Sequence, residues 1–190
     1  MGMFEGKTIV VTGAREGVGS TTATSFAAEG GKLILISRNE PKETIEKIIK
    51  NGGIKPEFVL CDISAENQVV EMAKKIKELT NGCVDVLVNC AGFNGKASLV
   101  ENMKLEDWKY TLGVNLTGTM LVCRELIPFM NPEKAAIVNV SSNVARRGLP
   151  YRADYVCSKW ALLGFTQTLA LELVDRKIRV NAVCPGPIEG

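Results

Sequence analysis

Residues 7–19 read K-T-I-V-V-T-G-A-R-E-G-V-G. A short apolar, β-branched run passes into three glycines. A helix-forming run follows, from about Val18 to Glu29, and Gly30-Gly31 ends it. A strand, a glycine-rich turn and a helix in that order make a cradle for phosphate. Gly13 permits the tight turn, Gly17 permits close backbone approach, and Gly19 permits close packing of the helix. The free N–H groups at the helix start then face the anion. Plain strand-to-helix turns can look the same, so the reading depends on what surrounds it.

The alternation repeats along the chain. Residues 32–37 (K-L-I-L-I-S) form a second strand, and a charged amphipathic helix over 40–50 closes at Asn51-Gly52-Gly53. A third strand, 57–61, is followed by Asp62-Ile63 and by Ser64, placed to cap a helix that runs to about Leu79. The fourth strand, 84–88, ends in N-C-A-G at 89–92. After a loop, a long helical run over 105–130 is interrupted at Gly113 and holds Asn115 in its middle; Pro128 and Pro132 end it. Asn115 reads either as a satisfied core amide or as a functional group. A fifth strand (135–140), another long helix and a sixth strand (177–183) complete the pattern. Six strands joined by helical crossovers predict a right-handed, doubly wound parallel sheet, the Rossmann α/β class, with order 3-2-1-4-5-6. Residues 1–190 show no repeat and no linker, so one domain is expected.

In such sheets, ligands lie outside the carboxyl ends of the strands. The second strand ends in Ser37 and Arg38, without the acid that holds a ribose 2′-hydroxyl. A guanidinium there grips a 2′-phosphate, which favours NADP over NAD; the alternative is a solvated loop charge. The stretch from Ser141 to Lys159, S-S-N-V-A-R-R-G-L-P-Y-R-A-D-Y-V-C-S-K, joins a strand to a helix. Ser142 falls at the strand end. Tyr155 and Lys159 are four apart and share a helix face, with Asp154 near the helix start. A phenol is a poor acid or base at neutral pH, and a nearby ammonium favours its phenolate form. Tyr155 is thus able to pass a proton to or from an oxygen that a serine hydroxyl also binds, while a second agent moves a hydride. On its own, a Tyr with a Lys four residues on is a common pattern.

Composition narrows the field. Hydrophobic residues make up 46% and charged residues 23%, as in ordinary globular domains. A net charge of +2 argues against a nucleic-acid partner. No uncharged apolar run approaches membrane-spanning length, and the N-terminal M-G-M-F-E-G-K holds no signal-peptide apolar region. The six cysteines form no C-x-x-C pair and read as reduced, buried thiols of a cytoplasmic protein. There is no histidine, which removes His-based triads and H-E-x-x-H metal sites; no metal site is expected.

The ordered motifs resemble those of the short-chain dehydrogenases/reductases. They are T-G-x-x-x-G-x-G at 12–19, Asp62, N-C-A-G at 89–92, Asn115, Ser142, Y-x-x-x-K at 155–159 and R-V-N-A-V-C-P-G at 179–186. The resemblance implies an NADP(H)-dependent oxidoreductase acting on a carbonyl/secondary alcohol pair, such as 3-oxoacyl or sugar/polyol compounds. It makes Tyr155 the general acid/base. Lys159 activates it and binds the nicotinamide ribose, Ser142 holds the substrate oxygen, and Asn115 helps to organise a proton relay through water. Thr12, Gly13, Arg15, Gly17, Val18 and Gly19 would hold the pyrophosphate end, and Ser37 and Arg38 the adenosine ribose. Asp62 with Ile63 would meet the adenine. Asn89, Ala91 and Gly92 would lie beside the adenosine ribose, and Pro185, Gly186 and Ile188 along the nicotinamide. Glu16, where relatives using NADP often carry a base, would oppose a 2′-phosphate. Gly190 stands where relatives often have Thr. Relatives usually continue about fifty residues further with a substrate lid, so residues 1–190 are expected to lack that segment. A competing reading is a dinucleotide-binding module without turnover. The resemblance also implies a homodimer or homotetramer. Arg146, Arg147 and Arg152 read either as contacts for an anionic substrate or as solvated loop charges.

Overall fold

The computed structural model describes residues 2–132 and 134–187. Its parallel sheet has six strands in the order β3-β2-β1-β4-β5-β6, as the alternation predicts. The strands are β1 (Thr8–Thr12), β2 (Lys32–Ser37), β3 (Glu57–Leu60), β4 (Val86–Asn89), β5 (Ala136–Val140) and β6 (Arg179–Val183). Side chains alternate across the sheet plane, so each central strand feeds two cores. Val10 of β1 faces a core with Ile34, Leu87 and Ile137. Its neighbours Ile9 and Val11 face the other, with Leu35 and Val88.

Helices cover both faces. On one face, α1 (Gly17–Ala28) and α2 (Lys42–Lys50) bury Ala23, Ala27 and Ile48. On the other lie α3 (Glu66–Thr80), α4 (Leu105–Leu112), α5 (Thr119–Leu126) and α6 (Ala153–Glu172); Val69 and Met72 of α3, Leu121 and Leu126 of α5 and Leu169 of α6 enter its core. Among the described residues, no helix is long and apolar enough to cross a membrane.

Two local expectations change. Ser64 does not cap a helix: α3 begins at Glu66 after Ala65, and the Ser64 N–H and hydroxyl both donate to the Asp62 carboxylate (3.0 and 2.7 Å). In a cap the serine oxygen would accept a backbone N–H; here the residue instead donates twice to a charged carboxylate two residues back, a local turn that competes with capping. The run over 105–130 is not one α-helix. Gly113–Gly118 forms a wider π turn between α4 and α5, and Ile127–Phe129 tightens into a 3₁₀ turn before Pro132. Gly113 marks the break in the sequence, but the widened turn sits on Asn115.

Asp85 stitches the entry edge of the sheet. Its buried carboxylate accepts from Thr8 N (2.9 Å), Lys7 Nζ (3.1 Å) and Asn131 Nδ2 (3.0 Å). Burial alone pushes this carboxyl up. The bonds from Thr8, Asn131 and Lys7 outweigh that effect, and the group lies below the usual carboxylate range. A depressed carboxyl stabilises the fold above its unfolded value of about 4, and that contribution is lost as pH falls through the lower native value. Asp85→Ala should cost about 1–3 kcal/mol at pH 7, since it strands the Thr8 N–H. In urea titrations at several pH values, the gap between wild type and variant should narrow below about pH 4. A gap independent of pH would refute this account of Asp85.

Candidate active site

The phosphate cradle is built by exclusion. Gly13 has φ +66°, and a Cβ there would stand 2.6 Å from Ala91 Cα. A Cβ on Gly19 would fall on the Gly13 carbonyl oxygen. Gly17 has φ +56° and nothing within 4 Å of where its Cβ would be, so this backbone faces open space. The turn is braced from α2, where the buried Thr44 hydroxyl bonds the carbonyl oxygens of Ala14 (2.9 Å) and Arg15 (3.2 Å) and also meets the Ser20 hydroxyl. Glu16 precedes α1 and makes no side-chain cap hydrogen bond, so its carboxylate does not occupy the first N–H groups of that helix. A glycine cradle open to a helix N-terminus fits the pyrophosphate of a dinucleotide.

From this turn a cleft of about 700 Å³ runs along the carboxyl ends of the strands. Of the expected cofactor contacts, Gly13, Arg15, Gly17, Val18, Gly19, Ser37, Arg38, Asp62, Ile63, Ala91, Gly92, Pro185 and Gly186 line it. Thr12 lies beneath, wholly buried, where its hydroxyl accepts the Ala91 N–H (3.1 Å). Asn89 is turned into the core: its Nδ2 donates to Asn139 Oδ1 (2.9 Å) and Cys123 Sγ (3.3 Å), and its buried Oδ1 has no partner among the described residues. Ile188 lies outside the described residues.

Sequence reasoning missed Tyr110, whose hydroxyl accepts Arg38 Nη1 (2.7 Å) and whose ring packs edge-on against Phe93 (5.1 Å). It spans the cleft from α4 to β2. Nothing local points to it, because Arg38 lies 72 residues away. The bracing by Thr44 was equally invisible.

Ser142, Tyr155 and Lys159 all line the same cleft. Ser142 ends in extended backbone, and its Oγ accepts the Val144 N–H (3.4 Å), which leaves the hydroxyl proton uncommitted. Tyr155 is half-buried on the first turns of α6. Lys159 is 4% exposed, donates to Val140 O (2.8 Å) and places Nζ 5.7 Å from the Tyr155 ring centre. Burial pulls its pKa down to about 8, against weaker upward pulls from Cys90 and Cys184. Gly92 lies beside the ammonium: a Cβ there would stand 3.5 Å from Lys159 Nζ and 3.6 Å from Asn115 Oδ1, in ordinary contact with both.

Asn115 does not line the cleft. Fully buried, it accepts the Phe93 N–H (2.7 Å) and donates to Phe93 O (2.9 Å) and Ser158 Oγ (2.9 Å). Both ends of its amide are engaged. The expectation that the thiols are buried holds only for Cys61 and Cys123; Cys83 and Cys157 are exposed, and Cys90 and Cys184 lie between. Burial pushes the cleft-lining Cys90 thiol up to about 11, although Thr22 and Lys159 pull the other way, so it stays protonated.

A dinucleotide cradle joined to a Ser/Tyr/Lys cluster defines a nicotinamide-dependent oxidoreductase class. A family profile described as short chain dehydrogenase matches residues 7–190, and the chain belongs to that family. It is 38% identical to a 3β-hydroxysteroid dehydrogenase of Mediterraneibacter gnavus, covering 97% of this chain and 67% of that protein. It is 40% identical to a 3-oxoacyl-(acyl-carrier-protein) reductase of Thermotoga maritima (98% and 76%). It is 42% identical to a glucose 1-dehydrogenase of Gluconobacter oxydans (97% and 70%). Among solved structures, the ligand-free aldohexose dehydrogenase of Thermoplasma acidophilum superposes with a TM-score of 0.85 at 33% identity, over 97% of this chain and 68% of that one. The chain is an NAD(P)-dependent oxidoreductase acting on CH–OH groups of small molecules.

The buried lysine makes a signed prediction. Its native pKa near 8 lies below the unfolded value of about 10.4, so the unfolded chain binds more protons between those limits. Burying the charge costs stability below pH 8, and the cost is relieved as pH rises. In cofactor-free chemical denaturation, wild type should gain stability relative to Lys159→Met between about pH 8 and 10. A constant difference across that range would contradict it.

Proposed function

We propose that this chain is an NADP(H)-preferring reductase or dehydrogenase that interconverts a small carbonyl compound and its secondary alcohol. The observation that carries the reading is the opening of Ser142, Tyr155 and Lys159 into the cleft that begins at the glycine cradle. When bound, the dinucleotide supplies the hydride or takes it up. The chain's own residues handle position and proton. The Ser142 hydroxyl donates to the substrate oxygen, and the Tyr155 hydroxyl gives that oxygen its proton in reduction and recovers it in oxidation. Lys159, fixed on Val140 O, offsets negative charge on the reacting oxygens. Asn115 acts as a positioning residue, because its amide ties Phe93 to Ser158 beside Lys159.

Arg38 supports NADP. It lines the adenosine end, forms no ion pair among the described residues, and is steadied by Tyr110. Glu16 lines the same end and opposes a 2′-phosphate. NADH preference in a titration would mean that Glu16 outweighs Arg38. The named activities of the relatives, on hydroxysteroid, 3-oxoacyl and glucose compounds, support a carbonyl/alcohol pair as substrate. We further propose a homo-oligomer in the cytoplasm. Trp160 on α6 and Leu105 on α4 stay half-exposed on helices that pack together, and all six cysteines are free.

A panel of ketones and polyols assayed with NADPH or NADP tests the reading. Tyr155→Phe should lower kcat by about 10²–10⁴, with NADPH affinity, followed by tryptophan quenching, changed less than about threefold. Full turnover by Tyr155→Phe, or tight NADPH binding without turnover of any substrate by wild type, would defeat it.

A further inference from the structure

The three arginines of the β5–α6 connection part company in the fold. Arg152 is occupied: its Nη1 donates to Asn94 O (3.2 Å) and Gly95 O (2.9 Å), holding the loop after β4. Arg146 is exposed but does not line the cleft. Arg147 does line it, and its guanidinium has no hydrogen-bond or ion-pair partner among the described residues. We infer that Arg147 is a specificity-determining residue that anchors an anionic oxygen group, a carboxylate or a phosphate, on the carbonyl substrate. This rests on the oxidoreductase reading above.

Position within the sheet supports it. Among the described residues, the acidic side chains lining the cleft, Glu16 and Asp62, follow β1 and β3, with Arg15 and Arg38 nearby. In the strand order, β2 and β5 are three places apart, about 14 Å at the usual strand spacing. Arg147 follows β5 and so lies towards the other end, five residues beyond Ser142. Among the described residues no carboxylate lines the cleft there to compete for it, and the nearby Asp154 is buried and bonded by the Thr111 hydroxyl (2.6 Å). A substrate whose oxygen meets Ser142 and Tyr155 therefore extends its remaining groups past an unpaired guanidinium.

The backbone that carries this exposed side chain is also held in place. Val144 and Ala145 are buried beneath the turn, and Asn143 N bonds Pro185 O (2.8 Å). Ala145 N bonds Ser142 O (3.0 Å), and Arg147 N bonds Val144 O (3.3 Å). The backbone of Arg147 is thereby fixed to the residue that binds the reacting oxygen, and less freedom is lost on binding. A planar guanidinium meets carboxylate or phosphate through paired, charge-assisted bonds.

Two matched pairs test this, 4-oxocyclohexanecarboxylate against its methyl ester and dihydroxyacetone phosphate against dihydroxyacetone. Binding is read by competition and thermal shift with NADPH present, and turnover is read separately. In wild type the anionic member of at least one pair should bind about tenfold better, the pair that responds telling carboxylate from phosphate. Arg147→Gln should bring that ratio to about one, Arg147→Glu should invert it, and salt should shrink it in wild type. Circular dichroism melts of both variants check that they fold. Equal binding of both members in both pairs overturns the inference, as does an anionic preference that survives Arg147→Gln. Anionic preference without turnover of any ketone or polyol of the panel keeps Arg147 as an anion anchor and defeats the proposed reaction; turnover without anionic preference does the reverse.

Discussion

The contact between Gly19 and the carbonyl oxygen of Gly13 is the constraint on which the rest depends. No side chain fits between them, so the mouth of α1 lies directly against the end of β1. On the other side, Gly13 presses on the Ala91 backbone, and the exit of β4 is drawn to the same point. Three chain segments thus converge with backbone against backbone. The price is paid in conformational freedom, since Gly13 and Gly17 both sit at positive φ. What results is unshielded backbone N–H groups at a helix mouth, which no packed side chain could provide.

A second joint sets the chemistry relative to that cradle. Asn115 binds both the N–H and the carbonyl oxygen of Phe93, as a neighbouring strand would, and so extends sheet-like pairing beyond the end of β4. The same amide reaches Ser158, whose hydroxyl in turn donates to Tyr155 O (2.7 Å). The π turn brings the amide to this place: widening the helix by one residue re-aims a side chain that a regular α-helix would direct elsewhere. The Thr119 hydroxyl bonds Asn115 O (3.0 Å) and so satisfies a carbonyl in the irregular turn. One buried amide therefore couples the loop after β4 to the helix that carries Tyr155 and Lys159.

The sheet was legible because its signals are local. Apolar runs of strand length alternate with helical patterns, and crossover rules leave few strand orders. The glycine spacing and the serine–tyrosine–lysine spacing were legible for the same reason. The π turn was only half legible: Gly113 announces an interruption, but no pattern tells a widened turn from a break. Ser64 misled because Ser before a helical run is a capping signal, while the competing acceptor, Asp62, acts through geometry that spacing alone does not reveal. Tyr110 on Arg38, Thr44 under the glycine turn and Thr111 on Asp154 were beyond reach, since each joins elements that only the tertiary fold brings together. Among the three loop arginines, composition treats all alike; only the fold shows that Arg152 is spent on carbonyls.

Lys159 shows why the site is not simply a well-packed core. A buried cation is costly unless its hydrogen-bonding capacity is met, and the ammonium carries several donors. Here Val140 O takes one of them, and burial drags the pKa to about 8. Removing the charge would suit the core better, yet the surrounding chain is arranged to keep it: Ser141 Oγ bonds the Lys159 carbonyl oxygen (2.9 Å) to pin its turn of α6 against β5. Among the described residues Val140 O is the one hydrogen-bond acceptor of this ammonium, and a perturbed cation facing a cleft is the kind of group on which the proposed ligand role rests. The open cradle at Gly17 carries the same signature in backbone form. The cradle and the ammonium open into one cleft, so the dinucleotide proposed above is a ligand able to meet both.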